Sequence, residues 1–175
     1  YRLLFPFPWQ PGDFKKDLTK LQAAGLKLED IAGFITEPFQ GWAAAFFPKP
    51  YMQALAAFAR ENNSLLVLDE IQGGFGRTGK MFAYEHYGIK PDLLCLGKGL
   101  TSSLPMSAVV GPKKYLALPD DIHSTHSGHP LACAAALANL RYIKKHQLIK
   151  QSAQKGKILS NRLEALQHKY PKRIA

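Results

Sequence analysis

Two runs, Leu65-Leu-Val-Leu68 and Leu93-Leu-Cys-Leu96, are apolar at every position. A strand with one wet face alternates apolar and polar residues. A strand that is apolar throughout needs cover on both faces, which is the condition of a parallel sheet flanked by helices. The rest of the chain fits that demand. Asp13 caps a helix from about Phe14 to Ala24, and Gly25 ends it. Ile31 to Thr36 reads as a strand ending at Glu37-Pro38, and Pro50 to Glu61 has helical spacing. Ser107 to Val110 reads as a third buried strand. Pro130 opens a helix from about Leu131 to His146, and another follows to about Lys169. The prolines of Phe5 to Gly12 exclude helix or central strand there. Strands alternating with helices predict an α/β fold of parallel βαβ units.

In an open parallel sheet, ligands sit beyond the carboxyl ends of the strands. Glu37, Asp69 and Lys98 all fall at such ends. Three polar residues converging on one rim form the first functional signal, set against the plainer reading of three unrelated loop residues.

The chain has 175 residues and a formal net charge of +10. Most of the excess lies beyond Arg141, in Lys144, Lys145, Lys150, Lys155, Lys157, Arg162, Lys169, Lys172 and Arg173, with Glu164 opposing. These cations are spread around helical turns and lack interleaved stacking aromatics, so they read as a solvated helix face and not a nucleic-acid surface. No apolar run is long enough to span a membrane. Cys95 and Cys133 have no metal-ligand company and read as small core residues, which suits a reducing, cytoplasmic setting.

The stretch from Leu65 to Gly79, an acid at a buried strand end followed by a glycine-rich turn, has two candidate explanations. Gly74 to Lys80 fits the phosphate loop G-x-x-x-x-G-K. Three features argue against it. Met81 stands where magnesium needs a hydroxyl, the acidic strand precedes the loop, and no clear helix follows. The second explanation rests on a longer pattern: Asp69-Glu-Ile-Gln-x-Gly-Phe-Gly-Arg-x-Gly79, then Pro91-Asp-Leu-Leu94, then Gly97-Lys-Gly99, with Glu37-Pro-Phe-Gln-Gly41 upstream and Ser124-Thr-His-Ser-Gly-His-Pro-Leu-Ala-Cys-Ala-Ala-Ala-Leu137 downstream. This ordered set resembles the signature of class III aminotransferases, the omega-type pyridoxal-phosphate (PLP) enzymes, most strongly from Gly33 to Leu140.

The resemblance implies part of the large domain of a fold-type I PLP enzyme, with a mostly parallel sheet flanked by helices. It divides the chain into large-domain residues 1–128, an interdomain helix 129–146, and the start of a small domain from 147. It implies an amino group passed from an amino acid or amine to a keto acid or aldehyde through a Lys98 aldimine. By the same resemblance Asp69 is expected to pair with the cofactor's ring nitrogen and keep it protonated. A lysine amine is a nucleophile only when neutral, so it needs desolvation or nearby cations, and the apolar strand leading to Lys98 is expected to supply that setting. Gly97 and Gly99 are expected to let backbone approach the cofactor. The family pattern puts Ile71 on the ring face, Gln72 at its phenolic oxygen and Thr125 at the cofactor phosphate of a neighbouring subunit. A homodimer follows from that last role.

His123, His126 and His129 have a spacing that suggests a metal, but no carboxylate or cysteine joins them, so loop residues near the cofactor are the reading preferred. Trp42 stands where many omega-amino members carry a glutamate after Gln-Gly. The resemblance therefore implies that this acid switch is absent, which argues against γ-aminobutyrate or ornithine as substrate and makes Trp42 and Glu37 substrate-pocket candidates. The family's upstream phosphate loop and downstream substrate arginine have no counterpart, so a piece of a longer protein is expected. A same-fold aminomutase and a decarboxylating aminotransferase remain alternatives. A non-catalytic basic binding module is the alternative of another class, and it leaves Asp69 and Lys98 without a purpose.

Overall fold

The computed structural model describes residues 1–3, 6, 12–117 and 124–174. Most of the proline-rich opening, and His123, lie outside them.

The elements in chain order are α1 (Phe14–Ala23), β1 (Gly33–Thr36), β2 (Phe39–Gln40), β3 (Ala45–Phe46), α2 (Lys49–Glu61), β4 (Leu65–Asp69), β5 (Leu93–Leu96), β6 (Ala108–Val110), α3 (Lys113–Leu116), α4 (Pro130–Lys145) and α5 (Leu148–Lys169). The main sheet has the order β1-β4-β5-β6. The β1–β4 and β4–β5 pairs are parallel, as expected. β6 runs antiparallel to β5, against the expectation for Ser107 to Val110. A parallel return needs a crossover, usually a helix. The stretch between Leu96 and Ala108 holds only a 3-10 turn, Lys98–Leu100, so the chain doubles back.

Local chemistry explains the helix starts. Asp13 Oδ1 accepts from the backbone N–H of Lys15 and Lys16, at 3.0 and 3.2 Å, and so caps α1. Proline opens α4 and stands in the first turn of α2, where its missing N–H costs nothing. α1 and α2 bring Phe14, Leu18, Tyr51, Met52, Leu55, Ala56 and Ala59 against Leu66 and Leu68 of β4. Met52 and Leu68 are fully buried, and burying each such side chain stabilises the fold by about 1.5–3 kcal/mol. An aromatic group of Phe14, Phe34, Tyr51 and Phe58, meeting edge to face around Phe14 at 5.6 to 6.0 Å, completes this layer.

The other face is less covered than an all-apolar strand predicts. Leu65, Val67 and Asp69 are half-buried, and Ile35 is 72% exposed. A side chain at Asp92 locks the strand register: its Oδ2 accepts from Leu66 N–H at 2.8 Å while its own N–H donates to Leu66 O at 2.9 Å. No helix among the described residues is long and apolar enough to cross a membrane.

Candidate active site

β4 and β5 are neighbours in register, with Asp69 beside Cys95. β4 therefore delivers its terminal acid next to the strand that leads, three residues later, to Lys98. The strand pleat separates the two adjacent acids. Asp69 lies on the half-buried face, where its Oδ1 accepts from Ile71 N–H at 2.9 Å. Glu70 is fully buried; its Oε2 accepts from Ala83 N–H at 2.9 Å and its Oε1 from Tyr84 N–H at 2.8 Å. Burial pushes the Glu70 carboxyl above the usual carboxylate range, against those two backbone donors and with smaller contributions from Glu85 and Asp69. Cys95 is pushed up likewise, first by burial and then by the Asp69 charge.

Lys98 opens the 3-10 turn with a left-handed φ of +36°. The apolar strand buries Leu96 and Gly97 but leaves Lys98 exposed, so the strand does not supply the desolvated setting expected of it. Lys98 stands two residues beyond the end of the strand, at the first position of the 3-10 turn, past the apolar cover. Gly97 and Gly99 serve packing within the chain: a Cβ at Gly97 would meet Ile71 Cγ2 at 3.3 Å, and one at Gly99 would meet Phe75 Cδ2 at 3.1 Å.

A cavity of about 360 Å³ lies at this rim. Ile71, Gln72 and Lys98 line it together, with the Lys98 turn on one side and Asn139, Ile143 and Ser152 of α4 and α5 on the other. Asp69 stands next to this cavity in sequence but is not among its lining residues. Gln72 rests on Gly41, where a Cβ would come within 2.3 Å of its Cγ. Glu37 Oε2 accepts from the same Gly41 N–H at 3.1 Å, so it braces the loop that carries Gln72's neighbour. Trp42, at the turn between β2 and β3, is 91% exposed. Thr125 is exposed in the turn before α4. The larger cavity, about 540 Å³, lies against β1, α1 and α2 and contains none of these residues.

The glycine-rich loop is not a phosphate cradle. It leads into a 3-10 turn, Ala83–His86, and Gly79 (φ +84°) has Ala153 of α5 against it, 3.1 Å from where a Cβ would stand. His129 Nδ1 accepts from Leu131 N–H at 3.2 Å and so caps α4. No group of three or more potential metal ligands is found among the described residues. Sequence reasoning missed Asn139, whose side chain reaches the Lys98 turn. The available signal was its place on the same helical stripe as Ala132, Ala136 and Ile143, all buried.

The α/β sheet, with Asp69 at the end of one parallel strand and Lys98 just beyond its neighbour, matches the large-domain fold of fold-type I PLP enzymes. Comparisons with known proteins narrow this. The family model for aminotransferase class-III matches residues 11–175. The chain belongs to the class III aminotransferase family, a family of PLP enzymes. A 4-aminobutyrate aminotransferase of Mycobacterium leprae is 37% identical over 95% of this chain, and a putrescine aminotransferase of Pectobacterium atrosepticum is 40% identical over 91%. The chain spans only 41% and 35% of those two proteins. The crystal structure of an S-selective transaminase from Arthrobacter sp. superposes with a TM-score of 0.80 at 38% identity, covering 87% of this chain and 34% of that one.

Proposed function

We propose that this chain carries the central catalytic part of a PLP-dependent aminotransferase, which moves an amino group from an amino acid or amine to a keto acid or aldehyde. The observation that carries the reading is the meeting of Lys98, Ile71 and Gln72 around one cavity, with Asp69 at the neighbouring strand end. An exposed amine, a carboxylate, a flat aliphatic side and an amide suit a planar aldehyde cofactor. Bound there, PLP supplies an electron sink for the carbanion character that develops at the substrate carbon.

Each residue has one task in this reading. With PLP bound, Lys98 Nζ would hold the cofactor through its aldehyde carbon and, once released by the substrate amine, would be the base placed to take the α-carbon proton. Asp69 favours the protonated ring nitrogen. Its fixed bond to Ile71 N–H supports that role, because a carboxylate already oriented needs no reorganisation. Ile71 would pack on the ring and Gln72 would donate to its phenolic oxygen, both lining the same cavity as Lys98. Thr125, exposed here, serves the cofactor phosphate of a partner subunit in a homodimer. Glu37 and Trp42 border the substrate side. Residues 1–128 belong to the large domain, α4 is the interdomain helix, and α5 begins the small domain. The free thiols of Cys95 and Cys133 favour a cytoplasmic setting.

The test is borohydride trapping. The complete protein is incubated with PLP, reduced and digested, and the pyridoxyl group is located by mass spectrometry, with Lys98→Ala as control. Label concentrated on Lys98 supports the reading. Scattered label, unchanged in Lys98→Ala, refutes it.

A further inference from the structure

We infer that Asn139 is a positioning residue for Lys98, holding the strained turn that aims the lysine into the cavity. This rests on the role proposed above for Lys98. Two non-glycine residues of the turn have left-handed backbone, Lys98 at φ +36° and Ser102 at φ +63°. Such conformations persist only where the surroundings hold them. The turn's own backbone supplies bonds from Leu100 N–H to Gly97 O at 2.8 Å and from Ser102 N–H to Lys98 O at 3.1 Å, and Thr101 N–H also donates to Lys98 O. A short helical turn leaves its last carbonyls without partners inside it.

Asn139 takes up those carbonyls. Its Nδ2 donates to Gly99 O at 2.7 Å and to Leu100 O at 3.1 Å. Its Oδ1 accepts from Ser102 Oγ at 3.1 Å. One side-chain amide thus grips the turn at three residues, Gly99, Leu100 and Ser102. The amide orientation follows from these partners, since the flipped group would set oxygen against two carbonyl oxygens. Asparagine is a poor residue for a helix interior, and on α4 it interrupts a stripe whose other members, Ala132, Ala136 and Ile143, are buried apolar groups. α4 runs on into α5, and Ile149 and Ala153 of α5 lie against Gly76 and Gly79. The helix pair therefore touches both loops that line the cavity, and Asn139 is its polar contact with the lysine-bearing one.

The test uses the complete protein with Asn139→Ala and Asn139→Asp. Aspartate keeps the size and the acceptor for Ser102 but turns a carboxylate toward two carbonyls. Hydrogen exchange of the Leu100 and Ser102 amides, measured without cofactor, is expected to rise about tenfold or more in both variants, while the Ala83 and Tyr84 amides keep their rates. With cofactor, kcat is expected to fall by roughly tenfold or more with KM within about twofold, because the fault lies in aim and not in substrate binding. Unchanged turn amides in both variants would overturn the inference. So would equal acceleration at Ala83 and Tyr84, which would make Asn139 a general fold contact. Faster turn exchange with no borohydride label on Lys98 in the unsubstituted protein would uphold the clamp and sink the lysine's catalytic role.

Discussion

Replacing Glu70 by glutamine separates the two acids of the Asp69-Glu70 pair by task. Glu70 is completely buried and accepts two backbone N–H groups, from Ala83 and Tyr84. It thereby pins the far end of the glycine-rich loop beneath the strand that carries Asp69. Glutamine retains one acceptor oxygen and turns an NH2 toward the other N–H. One buried donor is then left facing a donor, at a cost of about 1–3 kcal/mol. Alanine leaves both donors without a partner, for about 2–6 kcal/mol. The pH dependence has a definite sign. Burial raises the Glu70 carboxyl in the folded state, so the folded protein holds its proton to higher pH than the unfolded chain does. The contribution of this group is complete below the ordinary carboxylate value and is lost as pH rises through the raised one. Glutamine does not titrate. The deficit of Glu70→Gln is therefore largest at low pH and narrows as pH rises. Native-state hydrogen exchange at the Ala83 and Tyr84 amides, across a pH series and corrected for intrinsic rates, reads this local free energy. A deficit that widens with pH would refute the assignment of burial as the dominant cause. Undiminished protection of both amides would refute the fastening role altogether.

Three further outcomes are expected. Gly41→Ala forces Gln72 off its resting place, because the new Cβ falls 2.3 Å from Gln72 Cγ; the Kd for PLP in the complete protein, followed by absorbance, should rise by about tenfold, or 1.4 kcal/mol. Iodoacetamide mapping should label exposed Cys133 before Cys95, and Asp69→Asn should speed labelling of Cys95, since burial and then the Asp69 charge raise its thiol; the reverse order would contradict both causes. Gly79→Ala combines a left-handed φ of +84° with a 3.1 Å approach to Ala153, so it should weaken the seat of α5 by about 1–2 kcal/mol, read as faster exchange at the Ala153 amide.

The sheet was legible because uninterrupted apolar runs need cover and because polar residues punctuate their ends. β1, β4 and β5 accordingly fall where the pattern puts them. The direction of β6 was not legible, since its three residues carry no mark of polarity of pairing and only the shortness of the preceding link decides it. The β2–β3 hairpin has two residues per strand, too few for any period to show. At the site, alternation alone divided Asp69 from Glu70. Asn139 was not singled out, and Asp92 was read only as part of the Pro91-to-Leu94 motif with no task of its own, for a common reason. A single polar residue in an alanine-rich helix, or at a strand entrance, looks like surface until its distant acceptor or donor is known. Trp42 and Thr125 show the opposite limit: both are exposed here, and what they do depends on what comes to meet them.

The antiparallel return of β6 fixes what Lys98 can do mechanically. Leu96 pairs with Ala108 and Leu94 with Val110, so both ends of the lysine-bearing stretch are anchored on one strand pair. Neither anchor can slide without tearing the other, and the stretch cannot swing outward as a flap. With Asn139 gripping the turn between those anchors, the freedom that remains lies mainly in the four-carbon side chain. A molecule bonded to that amine is held by a short leash on a fixed post, and any large displacement during turnover belongs to the molecule and to the elements around it.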